Sequence, residues 1–357
     1  MTIAKEKKLL ALTGLLVGLG AGLLVLWGNP KNMGFCIACF IRDISGALHL
    51  HQAGAVQYVR PEIPALVLGA FIISCMKGEF QTRGGSSPML RFLFGFVMMI
   101  GALVFLGCPL RMVLRLGAGD LNALIGLFGF VFGVWIGTLF LNRGFSLGRS
   151  HDLAKLEGVA FPAVQLILLL AFVAAPSLFA LSKAGAGPGA LHAPVIASLL
   201  IGLLVGAFSQ RSRLCMAGGI RDVILFKDTT LIIAPICIFL CTLVWSLATG
   251  SFHLSFAGQP VAHTSSLWNF LGMTVVGLSA VLLGGCPLRQ LILSGEGNTD
   301  SAISVLGMTL GAAFAHNFSL ASSGKGPTQG GKVAVILSLV FLLASACILS
   351  EKEAHDA

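Results

Sequence analysis

Charge-free apolar runs recur along the chain, separated by short polar segments. The clear runs cover residues 9–28, 92–110, 121–142, 158–182, 193–210, 229–250, 267–288 and 301–324, and two shorter ones cover 63–76 and 333–349. A helix of about 20 apolar residues is long enough to cross the hydrocarbon core of a bilayer. The pattern therefore predicts an all-α integral membrane protein with about ten transmembrane helices.

The composition agrees with a membrane setting. Of the 357 residues, 56% are hydrophobic and 10% are charged, whereas a soluble domain carries about 25% charged residues. The 45 glycines are typical of closely packed membrane helices. A formal charge of +9 is also found in nucleic-acid-binding proteins. Here Lys and Arg stand at the ends of apolar runs, so no nucleic-acid partner is expected and the surroundings are the lipid bilayer.

The distribution of Lys and Arg predicts the orientation. Cytoplasmic loops of membrane proteins carry an excess of these residues. If the N-terminus is cytoplasmic, the loop 251–266 lies outside, and it contains no Lys or Arg. Three loops that would lie inside carry Lys77, Arg83 and Arg91; Arg143, Arg149 and Lys155; and Arg211 and Arg213. We therefore expect a multi-pass protein of the bacterial inner membrane with both termini in the cytoplasm.

Two motifs occur twice in the chain. Residues 36–44 read CIACFIRDI and residues 215–223 read CMAGGIRDV, an offset of 179 residues. The sequence GCPLR occurs at 107–111 and again at 285–289, an offset of 178 residues. This order indicates a duplication within one membrane domain, with a first repeat at 1–182 and a second at 183–357.

The two copies are expected to have opposite orientations. Each half contains five of the predicted spans, and an odd number inverts the second copy relative to the first. Inverted repeats in transporters place the substrate site near the midplane, where the copies meet. Short re-entrant or half-helices carrying the repeated motifs are therefore expected to meet at the centre.

The GCPLR motif has the residues of a helix start. Gly107 permits a tight turn, and Pro109 favours the first helical position. Cys108 then lies beside the unpaired N–H groups of a helix N-terminus, which attract anions, and Arg111 adds positive charge. The second copy repeats the arrangement with Gly285, Cys286, Pro287 and Arg289. A packing turn is the simpler interpretation of one copy, but two matched copies favour an anion site.

The other motif brings charged residues into the membrane. Arg42 and Asp43, like Arg221 and Asp222, cost about 2.5–3.5 kcal/mol each to insert. The favoured interpretation is a structural Arg–Asp pair in each half. Cys36 and Cys215 stand at the starts of these segments and are better candidates for lining a substrate path.

Cys36 and Cys39 form a CxxC motif with three interpretations. A zinc site would need two further ligands, and a redox pair lacks a surrounding thioredoxin-like βαβ pattern. The third interpretation, which we favour, is that Cys39 is an additional path thiol of the first half, because Gly218 stands at its matched position. No metal or other cofactor is expected.

Neutral thiols suit the conduction of a soft anion. A thiol in apolar surroundings stays protonated, and its S–H is a weak donor. Weak serial sites allow an ion to leave again. The path is therefore expected to include Cys36, Cys39, Cys108, Cys215 and Cys286.

Several polar residues near the motifs are given structural roles. His49 and His51 are expected to be solvated near an interface, and His316 to be a satisfied packing residue. Asn122 and Asp300 are expected to cap the helices that follow them. Tyr58, Arg60 and Glu62 form a polar cluster that is placed outside.

The paired motifs 36–43 with 107–111, and 215–222 with 285–289, resemble those of the YeeE/YedE family of membrane proteins. That resemblance covers nearly the whole chain and implies uptake of sulfur compounds, above all thiosulfate, through an hourglass-like inverted repeat with central cysteines. It assigns the family's cysteines to Cys36, Cys108 and Cys286, and by symmetry to Cys215. The stretch 28–46 resembles the YedE subgroup, which implies selenium compounds and a small soluble sulfurtransferase-like partner. Cys39 departs from the thiosulfate pattern, where a small residue is expected.

The leading hypothesis is a permease or channel, not an enzyme, for small sulfur- or selenium-containing anions. One alternative is a membrane thiol-redox protein that uses Cys36 and Cys39. Another is an accessory subunit for selenoenzyme maturation, which duplicated intramembrane thiols disfavour.

Overall fold

The computed structural model describes residues 3–356, with side chains described for 4–350. Nearly all of the regular structure is helical. The helices are α1 (Ile3–Leu26), α2 (Ile37–Ala47), α3 (Glu62–Met76), α4 (Pro88–Phe105), α5 (Pro109–Gly117), α6 (Leu121–Asn142), α7 (Lys155–Ala174), α8 (Val195–Ser212), α9 (Met216–Phe226), α10 (Ile233–Ala248), α11 (Ser266–Leu282), α12 (Pro287–Gly295), α13 (Thr299–Asn317) and α14 (Gln329–Asp356). Two-residue strands β1 (Arg83–Gly84) and β2 (His151–Asp152) pair antiparallel.

The expected all-α membrane architecture is confirmed. Seven helical segments are long and apolar enough to cross a membrane: Ala4–Leu26, Pro88–Gly117, Leu121–Asn142, Lys155–Ala174, Val195–Phe226, Ser266–Gly295 and Gln329–Ser350. Helices α3 and α10 are apolar but shorter. Each of the apolar runs in the sequence coincides with one helix. A total of about ten crossings remains a prediction, because α3, α10 and α13 are not among the seven segments.

The same elements recur in the same order in both halves. Helices α2 and α9 each have 11 residues, and α5 and α12 each have 9. All four short helices begin directly after a cysteine of the repeated motifs. They lie between the longer helices, in segments that are too short or too polar to span a membrane.

Helices α4 and α11 form the centre of the protein. The segments Pro88–Gly117 and Ser266–Gly295 are each 89% buried in their most apolar part, whereas Lys155–Ala174 and Gln329–Ser350 are only 28% buried. Membrane helices with so much exposed apolar surface face lipid. The two copies of GCPLR directly follow α4 and α11.

Glycines allow the long helices to approach closely. A Cβ atom at Gly129 in α6 would clash with the carbonyl oxygen of Phe270 in α11, and one at Gly307 in α13 would clash with that of Phe92 in α4. Phe92 and Phe270 are 178 residues apart, as are Gly129 and Gly307. The same backbone contact therefore occurs twice between the halves, once from α6 to α11 and once from α13 to α4.

Candidate functional site

The first cysteine pair lies where α2 and α5 begin. Cys36 is the N-cap residue of α2, and its Sγ accepts a hydrogen bond from the backbone N–H of Cys39 at 3.4 Å. Cys108 is the N-cap residue of α5, and Pro109 occupies the first turn as expected. The Cys108 thiol lies beside the Cys36 thiol and the backbone N–H groups of Arg111 and Ala38. Two helix N-termini thus converge on two neighbouring thiols.

The second pair repeats this geometry. Cys215 is the N-cap residue of α9, and its Sγ accepts from the backbone N–H of Gly218 at 3.2 Å. Cys286 caps α12 and is followed by Pro287. Its thiol lies beside the Cys215 thiol and the backbone N–H groups of Arg289 and Met216. Cysteines that are far apart in the sequence are therefore neighbours within each half.

The four thiols are shielded from solvent. Cys36 is 0% exposed, Cys108 and Cys286 are each 1% exposed, and Cys215 is 6% exposed. Backbone N–H groups at helix N-termini carry partial positive charge and attract anions. An S–H group adds a weak, polarisable donor. Each pair places such donors close to its two sulfur atoms.

Arg111 is occupied by backbone carbonyl groups. Its Nε donates to Asn32 O at 2.8 Å and its Nη2 donates to Val261 O at 2.9 Å. Its Nη1 donates to Leu106 O and to the Sγ of Cys39 at 3.4 Å. Arg111 therefore joins three loops around Cys39, as well as adding positive charge near the helix start.

Arg289 is the matched residue and has a different partner. Its Nη1 donates to Glu296 Oε1 at 3.0 Å. The two repeats thus use the same arginine position in different ways.

The glycines of GCPLR have a different role from the one expected. Gly107 and Gly285 are absent from the residues with positive φ, whereas the preceding residues Leu106 (φ +63°) and Gly284 (φ +77°) adopt the left-handed conformation. A Cβ atom at Gly107 would lie 2.9 Å from Arg111 Cδ, and one at Gly285 would lie 2.9 Å from Arg289 Cγ. These glycines leave room for the arginine stem, and the residue before each makes the turn.

The interpretation of Arg42 and Asp43 as a buried ion pair agrees with the structure, but the pair has a third member. Asp43 Oδ1 accepts from Arg42 Nη2 at 2.7 Å, and Asp43 Oδ2 accepts from Arg60 Nε at 2.8 Å. Arg60 also donates to the carbonyl groups of Leu191 and Pro188, both at 2.9 Å. In the second half, Arg221 and Asp222 form a pair at 2.8 Å that is more exposed.

Sequence reasoning missed the part played by Arg60. It grouped Arg60 with Tyr58 and Glu62 as an outer polar cluster, but all three side chains are buried. The sequence did contain a signal for this second cationic partner. Asp43 was placed inside the membrane, and its carboxylate has two oxygens that can each accept from a different arginine. A second missed pair is Arg115 with Asp120, at 2.7 Å and fully buried, which ties the end of α5 to the start of α6.

Three further expectations about polar residues need correction. His51 is not solvated but buried, because its Nε2 donates to Arg42 O at 3.1 Å and its Nδ1 accepts from Ala53 N–H at 3.2 Å. His316 is not satisfied, because its Nε2 has no partner among the described residues. The caps of α6 and α13 are Asp120 and Asn298, each two residues before the expected Asn122 and Asp300.

A comparison with known protein families finds a match in the second half of the chain. Residues 211–350 match the sequence model of the family described as Sulphur transport. The predicted resemblance to the YeeE/YedE family is thereby confirmed. The matched range contains the motifs at 215–222 and 285–289. The first-half motifs lie outside it and are linked to it by the internal repeat.

Two curated relatives share this similarity. The thiosulfate transporter TsuA of Spirochaeta thermophila is 34% identical over 115 residues, which cover 32% of this chain and 34% of the relative. The thiosulfate transporter TsuA of Escherichia coli (strain K12) is 30% identical over 114 residues, which cover 31% of each protein. The chain thus matches about a third of the length of these relatives. Both relatives are named as transporters of a sulfur anion rather than as enzymes.

Proposed function

We propose that the protein is a permease that conducts a small sulfur-containing oxyanion, such as thiosulfate, across the bacterial inner membrane. The observation that carries this proposal is the pairing of Cys36 with Cys108 and of Cys215 with Cys286, each pair at two converging helix N-termini. The similarity of residues 211–350 to the sulphur transport family supports the substrate class. The names of two relatives support thiosulfate in particular.

The packing of α4 against α11 supports an inverted repeat of two halves, 1–182 and 183–357. These two helices occupy matched positions and contact each other directly. A Cβ atom at Gly101 would lie 2.9 Å from Val275, and one at Gly272 would lie 3.4 Å from Phe105 N. The residue numbers rise in one helix as they fall in the other, so the helices run antiparallel. Equivalent helices that run antiparallel at the centre are what an inverted repeat requires.

The path in this proposal consists of weak sites. The anion is held by S–H and backbone N–H groups at Cys286 and Cys215 in one half and at Cys108 and Cys36 in the other, with Cys39 as an additional thiol of the first half. No covalent bond to sulfur forms. Neutral donors hold a soft anion loosely, which allows it to leave each site. Arg111, Arg289 and the two Arg–Asp pairs shape the loops around these thiols.

Loop charges support an orientation with both termini in the cytoplasm. The loop between α10 and α11 contains no Lys or Arg, whereas the loop between α6 and α7 contains Arg143 and Arg149. In this orientation the first-half motifs begin at the outer face and the second-half motifs at the inner face. The anion would meet Cys108 and Cys36 from outside.

Uptake into proteoliposomes tests the function. We would measure entry of labelled thiosulfate and of labelled selenite, with Cys108→Ala and Cys286→Ala beside Cys75→Ala. Cys75 is exposed and has no counterpart in the repeat, so its variant is the matched control. We expect thiosulfate entry in the wild type and in Cys75→Ala, and loss of entry in the two path variants. Entry of selenite instead would favour the selenium subgroup and its sulfurtransferase-like partner. No entry of either anion would contradict the permease.

The thiol-redox alternative is supported by one observation, the contact between the thiols of Cys36 and Cys39. Its test is the redox state of that pair. The redox function would be favoured over the cysteine-lined path if the two thiols cycle between dithiol and disulfide in the membrane while Cys36→Ser leaves anion uptake unchanged.

A further inference from the structure

Glu62, the first residue of α3, is a buried carboxylate that the proposed cysteine path does not use. Only 1% of the residue is exposed. Its Oε1 accepts hydrogen bonds from Asn29 Nδ2 at 2.9 Å and from Ser198 Oγ at 3.0 Å. Its Oε2 is buried and has no hydrogen-bond partner among the described side chains. Ionisable residues buried in membrane proteins mark ion pathways and proton relays. One oxygen of Glu62 is thus available to a ligand.

The surroundings of Glu62 fit a proton as that ligand. None of the ion pairs between described side chains includes Glu62, and the neighbouring Arg60 donates to Asp43 and to two backbone carbonyl groups instead. A buried ionised carboxylate without a cationic partner is costly, and a bound proton removes its charge. A metal cation would need several oxygen ligands, whereas N–H and O–H donors already occupy Glu62 Oε1 and Asn29 Oδ1.

Asn29 links Glu62 to the first cysteine pair. The Nδ2 atom that donates to Glu62 also donates to Gly34 O at 3.1 Å, and Gly34 lies two residues before Cys36. On its other side, Asn29 Oδ1 accepts from Ala193 N–H at 2.9 Å. An anion bound at Cys36 makes a second negative charge nearby less favourable. Anion binding at the pair and proton binding at Glu62 should therefore favour each other.

The outer solution is the source of this proton. Tyr58 is 5% exposed, and its ring stacks on that of the exposed His192 with centroids 4.2 Å apart. Burial, and to a smaller degree the charge of Glu62, raise the pKa of the Tyr58 phenol to about 12. The phenol therefore stays neutral and can both donate and accept a hydrogen bond. The segments that carry Tyr58 and His192 lie outside in the proposed orientation.

His192 is the neighbouring group that must be separated from Glu62 in a pH experiment, because histidine ordinarily titrates between about pH 5 and pH 8. The His51–His316 stack adjoins Arg42 rather than Glu62. The charged residues of α7 and α8 lie at the ends of those helices remote from Glu62. The charged and titratable groups on the other segments packed against α3 are Arg42, Asp43, Tyr58, Arg60, and the pair Arg289 and Glu296 on and after α12.

We propose that Glu62 is a proton-binding site that couples anion uptake to protons. A proton from the outer solution binds Glu62 Oε2 when the anion binds at the first cysteine pair, and it leaves toward the cytoplasm with the anion. The inference rests on the proposed permease and adds a coupling ion to it. The membrane potential, negative inside, opposes the entry of a dianion such as thiosulfate, and an accompanying proton reduces the charge that moves. Asn29 and Ser198 position the carboxylate and carry no proton.

The first experiment measures proton uptake on binding. Sodium thiosulfate at matched pH is added to the detergent-solubilised protein in weakly buffered solution with a pH indicator, and sodium chloride of equal ionic strength is the blank. We expect the wild type and Glu157→Gln to take up as much as about one proton per protein molecule, and Glu62→Gln to take up none. Glu157 is exposed in the first turn of α7, so its variant is the matched control. Thiosulfate binding without proton uptake, or with equal uptake in Glu62→Gln, would overturn the proton site.

The second experiment measures the half-saturation concentration for labelled thiosulfate uptake between about pH 5 and pH 8. The protonated site binds the anion more tightly, so this concentration should rise with pH in the wild type, by up to about tenfold per pH unit for one linked proton. Glu62→Gln keeps an oxygen acceptor for Asn29 and Ser198 but cannot titrate. Its half-saturation concentration should therefore be low and independent of pH.

Two further variants separate Glu62 from its neighbours. Ser198→Ala removes a hydrogen bond that favours the ionised carboxylate, so the midpoint of the pH dependence should move to higher pH. This variant also tests the proposal if Glu62→Gln does not fold, because an unchanged midpoint would then overturn it. His192→Gln should keep the wild-type pH dependence, and its loss in that variant would assign the proton to the histidine instead.

The third experiment imposes a proton gradient on proteoliposomes. An acidic outer solution should speed thiosulfate entry severalfold in the wild type, relative to equal pH on both sides, and a protonophore should remove the effect. Entry in Glu62→Gln should not respond to the gradient. If uptake needs sodium, as shown by replacing it with choline, and ignores the proton gradient, the proton site is wrong and the permease remains. If no thiosulfate enters the wild type under any of these conditions, both the permease and its proton coupling are wrong.

Discussion

Matched residues in the two repeats have different surroundings, and Asp43 and Asp222 show this most clearly. Asp43 accepts hydrogen bonds from two arginines and is fully buried, whereas Asp222 pairs with one arginine and is 14% exposed. Arg60 has no arginine counterpart near the start of α10. The first repeat therefore holds its aspartate between two buried arginines, whereas the second repeat holds it with one partly exposed arginine.

Removal of the Asp43 carboxylate should be costly. Asp43→Asn removes the carboxylate that two buried arginines contact, and the loss of one partner of a buried pair lowers the free energy of unfolding by about 3–5 kcal/mol. Asp222→Asn breaks a partly exposed pair, which contributes about 1 kcal/mol or less. Thermal unfolding in detergent would show a much larger drop for Asp43→Asn. Equal drops in the two variants would mean that Asp43 and its two arginines are no more important for stability than the exposed pair.

At the scale of helices, glycine positions decide how closely α6 and α11 pack. A Cβ atom at Gly133 would clash with the backbone carbonyl of Thr274, which cannot move without shifting α11. A Cβ atom at Gly330 in α14 would come within 3.0 Å of the flexible end of Leu320 and no closer than 3.7 Å to a backbone atom. The two glycines therefore differ in what an added methyl group would displace.

This difference predicts opposite effects of one substitution. Gly133→Ala should destabilise the protein by about 1–3 kcal/mol through overpacking. Gly330→Ala should be neutral or stabilising by up to about 1 kcal/mol, because alanine is the better helix former. Melting temperatures of the two variants, compared with the wild type, provide the measurement. A stable Gly133→Ala variant would contradict the close packing of α6 on α11.

The helices were largely predictable from the sequence, because long apolar runs and helix starts with Cys and Pro are local signals. The predicted helix caps, Asn122 and Asp300, lie two residues after the actual caps, Asp120 and Asn298. All four residues belong to the glycine turns GAGDLN and GEGNTD, and each is an equally plausible cap by sequence. Contacts between distant segments were not predictable in this way. The link from Asp43 to Arg60, and from Arg111 to Val261, depends on how loops from both halves fold over the motifs.

In the candidate site, too, local motifs could be predicted from the sequence and contacts between distant segments could not. The repeat identified Cys36, Cys108, Cys215 and Cys286 as a set, and the structure brings them together in two pairs. A cavity beside Arg42 was not foreseen, because its lining comes from separate segments such as Val261 and the α13–α14 loop. No single stretch of sequence carries that information.

At the scale of the whole molecule, the proposed orientation makes a direct prediction about two loops. Ala257, between α10 and α11, and Ser150, between α6 and α7, are both exposed. With both termini in the cytoplasm, Ala257 faces outward and Ser150 faces the cytoplasm. We expect Ala257→Cys to react with a membrane-impermeant maleimide in spheroplasts, and Ser150→Cys to react only after permeabilisation.

The background for this labelling is a chain in which the exposed Cys75 and Cys347 are replaced by alanine, and the same chain without an introduced cysteine is the control. Labelling of both loops from the same side would contradict the arrangement of spans, because three spans are expected between them. A reversed pattern would keep the spans and invert the protein, so that the Arg42 cavity and the Cys36–Cys108 pair would face the cytoplasm. The anion would then meet Cys215 and Cys286 first.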